Sequence, residues 1–126
     1  MKDTTNLLAA LSLSLFAIGL PVTGAYAQDG TAVFRKYCFI CHATEPGTNK
    51  LGPSLAGIVG RKAGSIASFN YSAAMKNSGL AWDEATLDKY LTAPAQLVPG
   101  TKMVFLGVKN ADERKAVIAY LATLKQ

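Results

Sequence analysis

Five consecutive residues, Cys38-Phe39-Ile40-Cys41-His42, constrain this chain more than any other feature of its sequence. The pattern C-x-x-C-H is the attachment motif for a c-type haem, because two thiols at this spacing can both reach one edge of a porphyrin. His42 follows directly, so its imidazole can bind the iron as an axial ligand. The 126-residue chain contains two cysteines and one histidine, and all of them lie in this motif. We therefore predict one covalent haem c, bound through Cys38, Cys41 and His42.

Other uses of these cysteines and this histidine fit the sequence less well. A structural zinc site requires four Cys or His ligands, and the chain has two cysteines and one histidine. A thioredoxin-like motif lies in a βαβ context, for which the sequence shows no pattern. A Cys38–Cys41 disulfide could form in an oxidising compartment, but it would leave the adjacent His42 without a role.

The N-terminus has the pattern of a secretory signal peptide. Lys2 precedes an apolar run over residues 7–20, and Ala25-Tyr26-Ala27 matches a small-residue cleavage site. The apolar run is shorter than the roughly 20 residues needed to cross a bilayer, although a retained membrane anchor is the alternative. We predict that residues 1–27 are a cleaved signal peptide and that residues 28–126 form one domain in the periplasm.

The charge of the chain limits its partners. With 13 Lys and Arg against 8 Asp and Glu, the formal net charge is +5, which could suit nucleic acid, an anionic membrane or an acidic protein. The basic residues are dispersed and are not interleaved with aromatic side chains, so the sequence does not favour nucleic acid. We expect a monomer that binds acidic protein faces and associates with membranes only peripherally.

Periodicity and capping residues predict an all-α protein with helices, long loops and no convincing strand. The predicted helices are residues 29–41, 72–77, 83–93 and a last helix that is capped by Asn110, with Glu113 completing a capping box. The predicted loops are residues 45–64 and 95–109, which are rich in Gly and Pro. Loops of this length are uncommon in a small domain, and wrapping around a planar cofactor accounts for them.

The second axial ligand can be sought among the methionines, because the chain has no second histidine. Met1 leaves with the signal peptide, so Met75 and Met103 remain. Met75 falls in a short predicted helix, where a methionine usually packs in the core. Met103 lies in a loop that begins with Pro99-Gly100, and we predict it as the ligand, with Met75 as the minor candidate.

Three further motifs give the chain a family resemblance from about residue 30 to 121. Residues 52–57 (GPSLAG), 60–62 (GRK) and 99–103 (PGTKM) resemble motifs of the small class I cytochromes c of the mitochondrial and photosynthetic-bacterial type. The resemblance implies the cytochrome c fold, with three to five helices and long loops wrapped around one haem.

The resemblance also implies roles for individual residues around the haem. The Pro53 carbonyl would accept the His42 N–H, and the propionates would be held by Arg61, Tyr71 and Trp82. Further haem-pocket residues would be Tyr90, Thr101 and Phe105, and the terminal helices would cross where Gly30 meets Phe34 and Tyr120. Met75 stands where mitochondrial members usually have Asn in a buried polar network, so this pocket should be drier here. A docking ring around the haem edge would comprise Lys36, Lys50, Lys76, Lys102 and Lys109.

One-electron transfer is the function that these features predict. The resemblance implies a carrier, not an enzyme, that takes electrons from a quinol–cytochrome c oxidoreductase to a terminal oxidase or a photosynthetic reaction centre. An electron-accepting subunit of a periplasmic dehydrogenase is one alternative. A peroxide enzyme or gas sensor with an open iron site is another, and Met103 argues against it.

Overall fold

The computed structural model describes residues 27–126, so the predicted signal peptide, apart from its last residue, lies outside the described residues. This part of the chain forms α1 (Gly30–Tyr37), α2 (Ala73–Lys76), α3 (Glu84–Thr92), α4 (Pro94–Leu97) and α5 (Ala111–Thr123). Over the same residues, β pairing is limited to one isolated bridge between Lys62 and Ala81. The all-α prediction is confirmed. None of the described helices has the length and apolar character needed to cross a membrane.

Helix α1 begins where the sequence predicts and ends earlier. The Asp29 side chain accepts a hydrogen bond from the Thr31 N–H at 2.9 Å, which caps the first turn. The helix ends at Tyr37 and not at residue 41, so the prediction was wrong for its last turn. There the Cys38 carbonyl accepts hydrogen bonds from the N–H groups of Cys41 and His42, at 3.0 and 2.9 Å. This turn, and not a continuous helix, presents the motif.

The loop predicted over residues 95–109 is also wrong at its start, where the chain forms the single-turn helix α4. Its first residue is Pro94, which lacks only an N–H that would have no partner within the helix. The sequence indicated Pro94 as a stop for α3, and it both ends that helix and starts the next one. Beyond Val98 the chain is irregular as far as Asn110.

Helix α5 has the predicted cap but only half of the predicted capping box. The Asn110 side chain accepts from the N–H groups of Asp112 and Glu113 at 2.9 and 3.0 Å. The Glu113 carboxylate does not return to Asn110. It accepts hydrogen bonds from Lys36 and Tyr37 at 2.8 Å each, which ties α5 to α1.

The crossing of α1 and α5 forms one side of the core. The rings of Phe34 and Tyr120 lie 5.4 Å apart, and Val117 is completely buried beneath them. Gly30 sits against α5 so closely that a Cβ atom there would meet the Ala116 carbonyl oxygen and lie 2.8 Å from the Tyr120 Cβ. Glycine is therefore required where the helices touch, as the resemblance implies.

An ion pair joins α5 to α3 and supports the loop between them. The Arg114 Nε lies 2.8 Å from the Asp88 carboxylate, and its Nη1 donates to the carbonyls of Val108 and Lys109 at 3.0 and 3.1 Å. The Val108 N–H donates in turn to the Leu91 carbonyl at 2.7 Å. These bonds fix the chain immediately after the predicted ligand loop.

Candidate haem site

The imidazole of His42 is oriented by one hydrogen bond. Its Nδ1 lies 2.8 Å from the Pro53 carbonyl oxygen, and since a carbonyl can only accept, Nδ1 carries the proton. Nε2 is then left with a free lone pair, which is the form that binds a metal. Burial lowers the pKa of His42, with the Pro53 bond opposing it, so the neutral ring is favoured.

Backbone contacts hold the loop that carries Pro53 against the motif. The Gly52 N–H donates to the Cys41 carbonyl at 2.8 Å. A Cβ atom on Gly52 would collide with the His42 ring, because its Nδ1 would be 2.7 Å away. A side chain at this position would therefore displace the imidazole, and this physical constraint underlies the Gly-Pro pair of the motif.

Both cysteines of the motif are unpaired and partly buried, so the disulfide alternative is not formed in this structure. Burial, followed by the neighbouring Cys41, raises the pKa of the Cys38 thiol to about 11. The protonated thiol therefore dominates at neutral pH. Since the thiolate is the form that exchanges with disulfides, this environment favours a free thiol.

The loop that contains Met103 is an extended segment whose side chains alternate. Thr101, Met103 and Phe105 are partly buried, and the residues between them are exposed. The Met103 sulfur lies 3.9 Å from the Tyr90 hydroxyl oxygen, and that hydroxyl lies 3.0 Å from the Thr101 Oγ1. Burial raises the pKa of Tyr90, so its hydroxyl stays protonated and can donate to either partner.

Phe105 and Trp82 are placed by aromatic contacts. The Phe105 ring lies 6.0 Å from Tyr37, the last residue of α1. The Trp82 ring is buried and lies 4.8 Å from Tyr90 on α3. The pocket residues predicted from the resemblance thus come from three separate parts of the chain.

Arg61 is held by the loop that follows Pro53. Its guanidinium donates to the carbonyls of Ala56 and Ser54, each at 2.9 Å, and takes no part in either ion pair found among residues 27–126. Burial lowers the pKa of Arg61, while electrostatic interaction with Tyr71 opposes this. Backbone hydrogen bonds between Arg61 and Trp82 (2.9 Å) and between Gly60 and Trp82 (2.8 Å) bring the predicted propionate-binding residues together. A partly buried cation without a carboxylate partner suits an anionic group.

Comparison with known proteins identifies the family to which this site belongs. A family model for cytochrome c matches residues 27–125. The chain belongs to the cytochrome c family. The cytochrome c2 of Rhodomicrobium vannielii is 56% identical over 113 residues, which cover 89% of this chain and 85% of the relative. The cytochrome c2 of Rhodoplanes tepidamans is 54% identical over 96 residues, covering 75% and 89%.

A solved structure agrees with these relatives. Cytochrome cH from Methylobacterium extorquens is 44% identical and has a TM-score of 0.70 over 75% of this chain and 94% of that one. The resemblance and the cytochrome c fold are thereby confirmed. This cytochrome is an electron-transfer protein with a covalent haem c, as the motif predicts.

The described residues fit this cofactor in their donor chemistry. His42 offers an unprotonated Nε2, Met103 offers a thioether, and Cys38 and Cys41 offer free thiols on one turn. Met75, the other candidate ligand, is 8% exposed and lies in the hydrophobic core on α2. Its surroundings are those of a packing residue.

The five predicted docking lysines are all exposed, and four of them make hydrogen bonds within the protein. Lys36 pairs with Glu113 at 2.8 Å, a bond that raises its pKa and offsets its charge. The other three bond to backbone carbonyls, Lys50 to Phe39, Lys102 to Asn70 and Lys109 to Thr92. Lys76 ends α2.

Two features of the site were missed by sequence reasoning. Tyr37 joins the ligand loop to α1, because it contacts Phe105 and also donates to Glu113. Ser54 is 2% exposed, and its hydroxyl donates to the Glu45 carbonyl at 2.6 Å. The family motif varies at this serine, and no periodic pattern marks Tyr37, so neither carried a signal.

Proposed function

We propose that this cytochrome is a periplasmic one-electron carrier with a closed haem site. Cys38 and Cys41 form thioethers to the haem, and His42 and Met103 bind opposite faces of its iron. The haem supplies a ferric–ferrous couple. The observation that carries the proposal is that Pro53 orients His42 while Tyr90 reaches the Met103 sulfur, so both axial donors are held before any substrate arrives.

This arrangement suits electron transfer because both ligands are fixed by the protein. The Pro53 carbonyl makes His42 a stronger donor, and the Tyr90 hydroxyl orients the thioether. Rigid ligands change position little between oxidation states. A peroxide enzyme or gas sensor needs an open coordination position, and Met103 would occupy it.

The same proposal includes the haem pocket beyond the ligands. Arg61, Tyr71 and Trp82 hold the propionates, and the pocket is closed by Tyr90, Thr101 and Phe105. Support comes from the Arg61 guanidinium, which has two carbonyl partners and no carboxylate partner among residues 27–126.

The proposed partners are membrane redox complexes on the periplasmic side. Electrons arrive from a quinol–cytochrome c oxidoreductase and leave to a terminal oxidase or a photosynthetic reaction centre, which dock through acidic faces. Support comes from the net charge of +5, the exposed lysines and the likeness to proteins named cytochrome c2. Export through a signal peptide cleaved after Ala27 is checked by the mass of the mature protein.

The visible spectrum of the matured holoprotein tests the ligand set. We expect a six-coordinate low-spin spectrum that carbon monoxide does not change in the reduced form, with a weak far-red band in the oxidised form. In Met103→Ala the far-red band should disappear and carbon monoxide should bind rapidly.

The matched control is Met75→Leu, which preserves buried apolar volume and should keep both spectral features. Loss of the far-red band in Met75→Leu and not in Met103→Ala would assign the iron ligand to Met75. Rapid carbon monoxide binding by the wild type would refute the closed site and favour an enzyme or sensor.

A further inference from the structure

Five large apolar side chains are exposed on the described surface, and they define what we call the apolar patch. Their exposed fractions run from 58% for Phe39 to 101% for Val104, and the patch comprises Phe39, Ile40, Leu51, Val104 and Leu106. Single exposed apolar residues are ordinary, but a group of them marks a site of interaction. Every member lies in the haem motif, the Gly-Pro loop or the ligand loop.

Contacts within the protein bring these segments together. The Tyr37–Phe105 ring contact places the ligand loop beside the end of α1, directly before the haem motif. The Lys50 ammonium lies 4.3 Å from the Phe39 ring centroid, and the Lys50 N–H donates to the Gly52 carbonyl at 2.9 Å. Leu51 is therefore held near Phe39, and the patch spans parts of one surface.

The exposure of Val104 and Leu106 does not depend on what Met103 binds. In the extended ligand loop, alternate side chains point to opposite sides, and Met103 and Phe105 take the inner side. Val104 and Leu106 take the outer side, with exposed fractions of 101% and 87%. A group bound at Met103 leaves them in solvent.

Basic residues border the patch. Lys36 precedes Tyr37, Lys50 covers Phe39, and Lys102 and Lys109 flank the outer part of the ligand loop. A second copy of this chain would bring like charges together at this surface. Membrane-surface binding usually uses an amphipathic helix, whereas these side chains lie on loops and turns. The charges and the local structure therefore favour an acidic protein.

We propose that the apolar patch is the centre of a docking interface for a redox protein whose apolar face is bordered by carboxylates. This inference rests on the proposed electron-transfer function. The lysines speed the encounter and lose their effect as salt rises, because exposed charges are screened. The patch supplies apolar contact, which salt does not screen, so the complex persists at high ionic strength.

The test compares wild-type holoprotein with the double variant Leu51→Ser/Leu106→Ser. The probes are a detergent-solubilised bacterial quinol–cytochrome c oxidoreductase and a bacterial cytochrome c oxidase, with binding and electron-transfer rates measured from low salt to about 0.5 M. We expect the wild type to retain binding to at least one complex at high salt. The variant should bind it roughly tenfold more weakly there, with an unchanged salt slope.

Two controls separate the contributions. Ala119→Ser/Ala122→Ser adds two hydroxyl groups on the exposed side of α5, far along the chain from the patch, and should behave as the wild type. Lys102→Gln should reduce the salt slope and keep the binding at high salt. An unchanged visible spectrum in each variant shows that the haem site is intact.

Several outcomes would overturn the inference. Equal high-salt binding by the wild type and the double variant refutes the patch while the proposed function stands. Dimerisation of the wild type in sedimentation, or binding to phosphatidylglycerol vesicles, that disappears in the double variant without a change in complex binding assigns the patch to another occupant. Absence of electron transfer to both complexes at low salt refutes the proposed partners, and the inference fails with them.

Discussion

The hydroxyl group of Tyr90 lies 3.9 Å from the sulfur of Met103. Tyr90 belongs to helix α3, and Met103 belongs to the extended loop that follows α4. The same hydroxyl lies 3.0 Å from the Thr101 Oγ1, which also accepts from the Met103 N–H at 3.3 Å. One phenol therefore positions both the side chain and the backbone of the predicted ligand.

Removing this hydroxyl in Tyr90→Phe should lower the reduction potential of the haem. A hydrogen bond to the sulfur withdraws electron density from it, and its loss makes the thioether a better donor to ferric iron. We expect a decrease of a few tens of millivolts in redox titration, where about 59 mV is tenfold for one electron. Tyr120→Phe removes a hydroxyl from the α1–α5 contact and should leave the potential unchanged. An equal change in both variants would show that the hydrogen bond to Met103 has no special role.

Adding a methyl group in Gly52→Ala should disturb the proximal side of the site. The new Cβ would collide with the His42 ring, so the ring must turn and its bond to Pro53 must weaken. We expect a lower yield of holoprotein and a high-spin fraction in the ferric spectrum. Gly60→Ala provides the comparison, because its Cβ would meet no atom within 4 Å and only the backbone at φ +88° would be strained. A normal low-spin spectrum and yield in Gly52→Ala would contradict the steric role.

Acid stability should depend on Glu113. Hydrogen bonds from Lys36 and Tyr37 lower its pKa in the folded protein, so it stabilises the fold above its ordinary pKa. This stability is lost as the pH falls through the lowered folded-state pKa. Glu113→Gln should reduce the Tm by a few degrees at pH 7, and the difference from wild type should vanish in acid.

Asp112→Asn is the matched control for Glu113→Gln, since it removes the neighbouring charge from the same first turn of α5. Thermal unfolding followed across the acid range separates the two variants. If Asp112→Asn reproduces both the loss of Tm and its pH dependence, the effect belongs to the helix terminus and not to the contacts with α1.

The crossing of the terminal helices should not tolerate a side chain at residue 30. In Gly30→Val the added atoms would meet the Ala116 carbonyl and the Tyr120 Cβ, which would force α1 away from α5. Overpacking of this kind costs about 1–3 kcal/mol, measurable by guanidinium unfolding. Ala119→Val adds similar bulk on the exposed side of α5 and should change stability by less than about 0.5 kcal/mol. Similar losses in the two variants would argue against a close contact at Gly30.

Local sequence signals predicted the beginnings of the helices better than their ends. Asp29 and Asn110 cap α1 and α5 as expected, because a cap is a hydrogen bond between residues that are close in sequence. The early end of α1 follows from the turn that presents the haem motif. Helix α4 follows from Pro94, which periodicity indicated only as a stop.

The capping box failed for a tertiary reason. The spacing of Asn110 and Glu113 is correct for it, but Lys36 and Tyr37 reach the carboxylate from another helix. A charged donor on α1 competes successfully with a backbone N–H on the same turn, since hydrogen bonds to charged groups are the stronger ones. The partners are more than 70 positions away in sequence, so no local pattern reveals them.

The sequence by itself determined the cofactor class and the candidate ligands, because thioether attachment depends on residue types at a short fixed spacing and few other metal-binding residues exist. Tertiary structure decided what surrounds them. It brought Pro53 to His42, Tyr90 to Met103 and Tyr37 to Phe105, and it left the apolar patch in solvent. These relationships depend on packing between segments that are far apart in the chain, and on which side of each segment packing leaves uncovered, so only the folded protein specifies them.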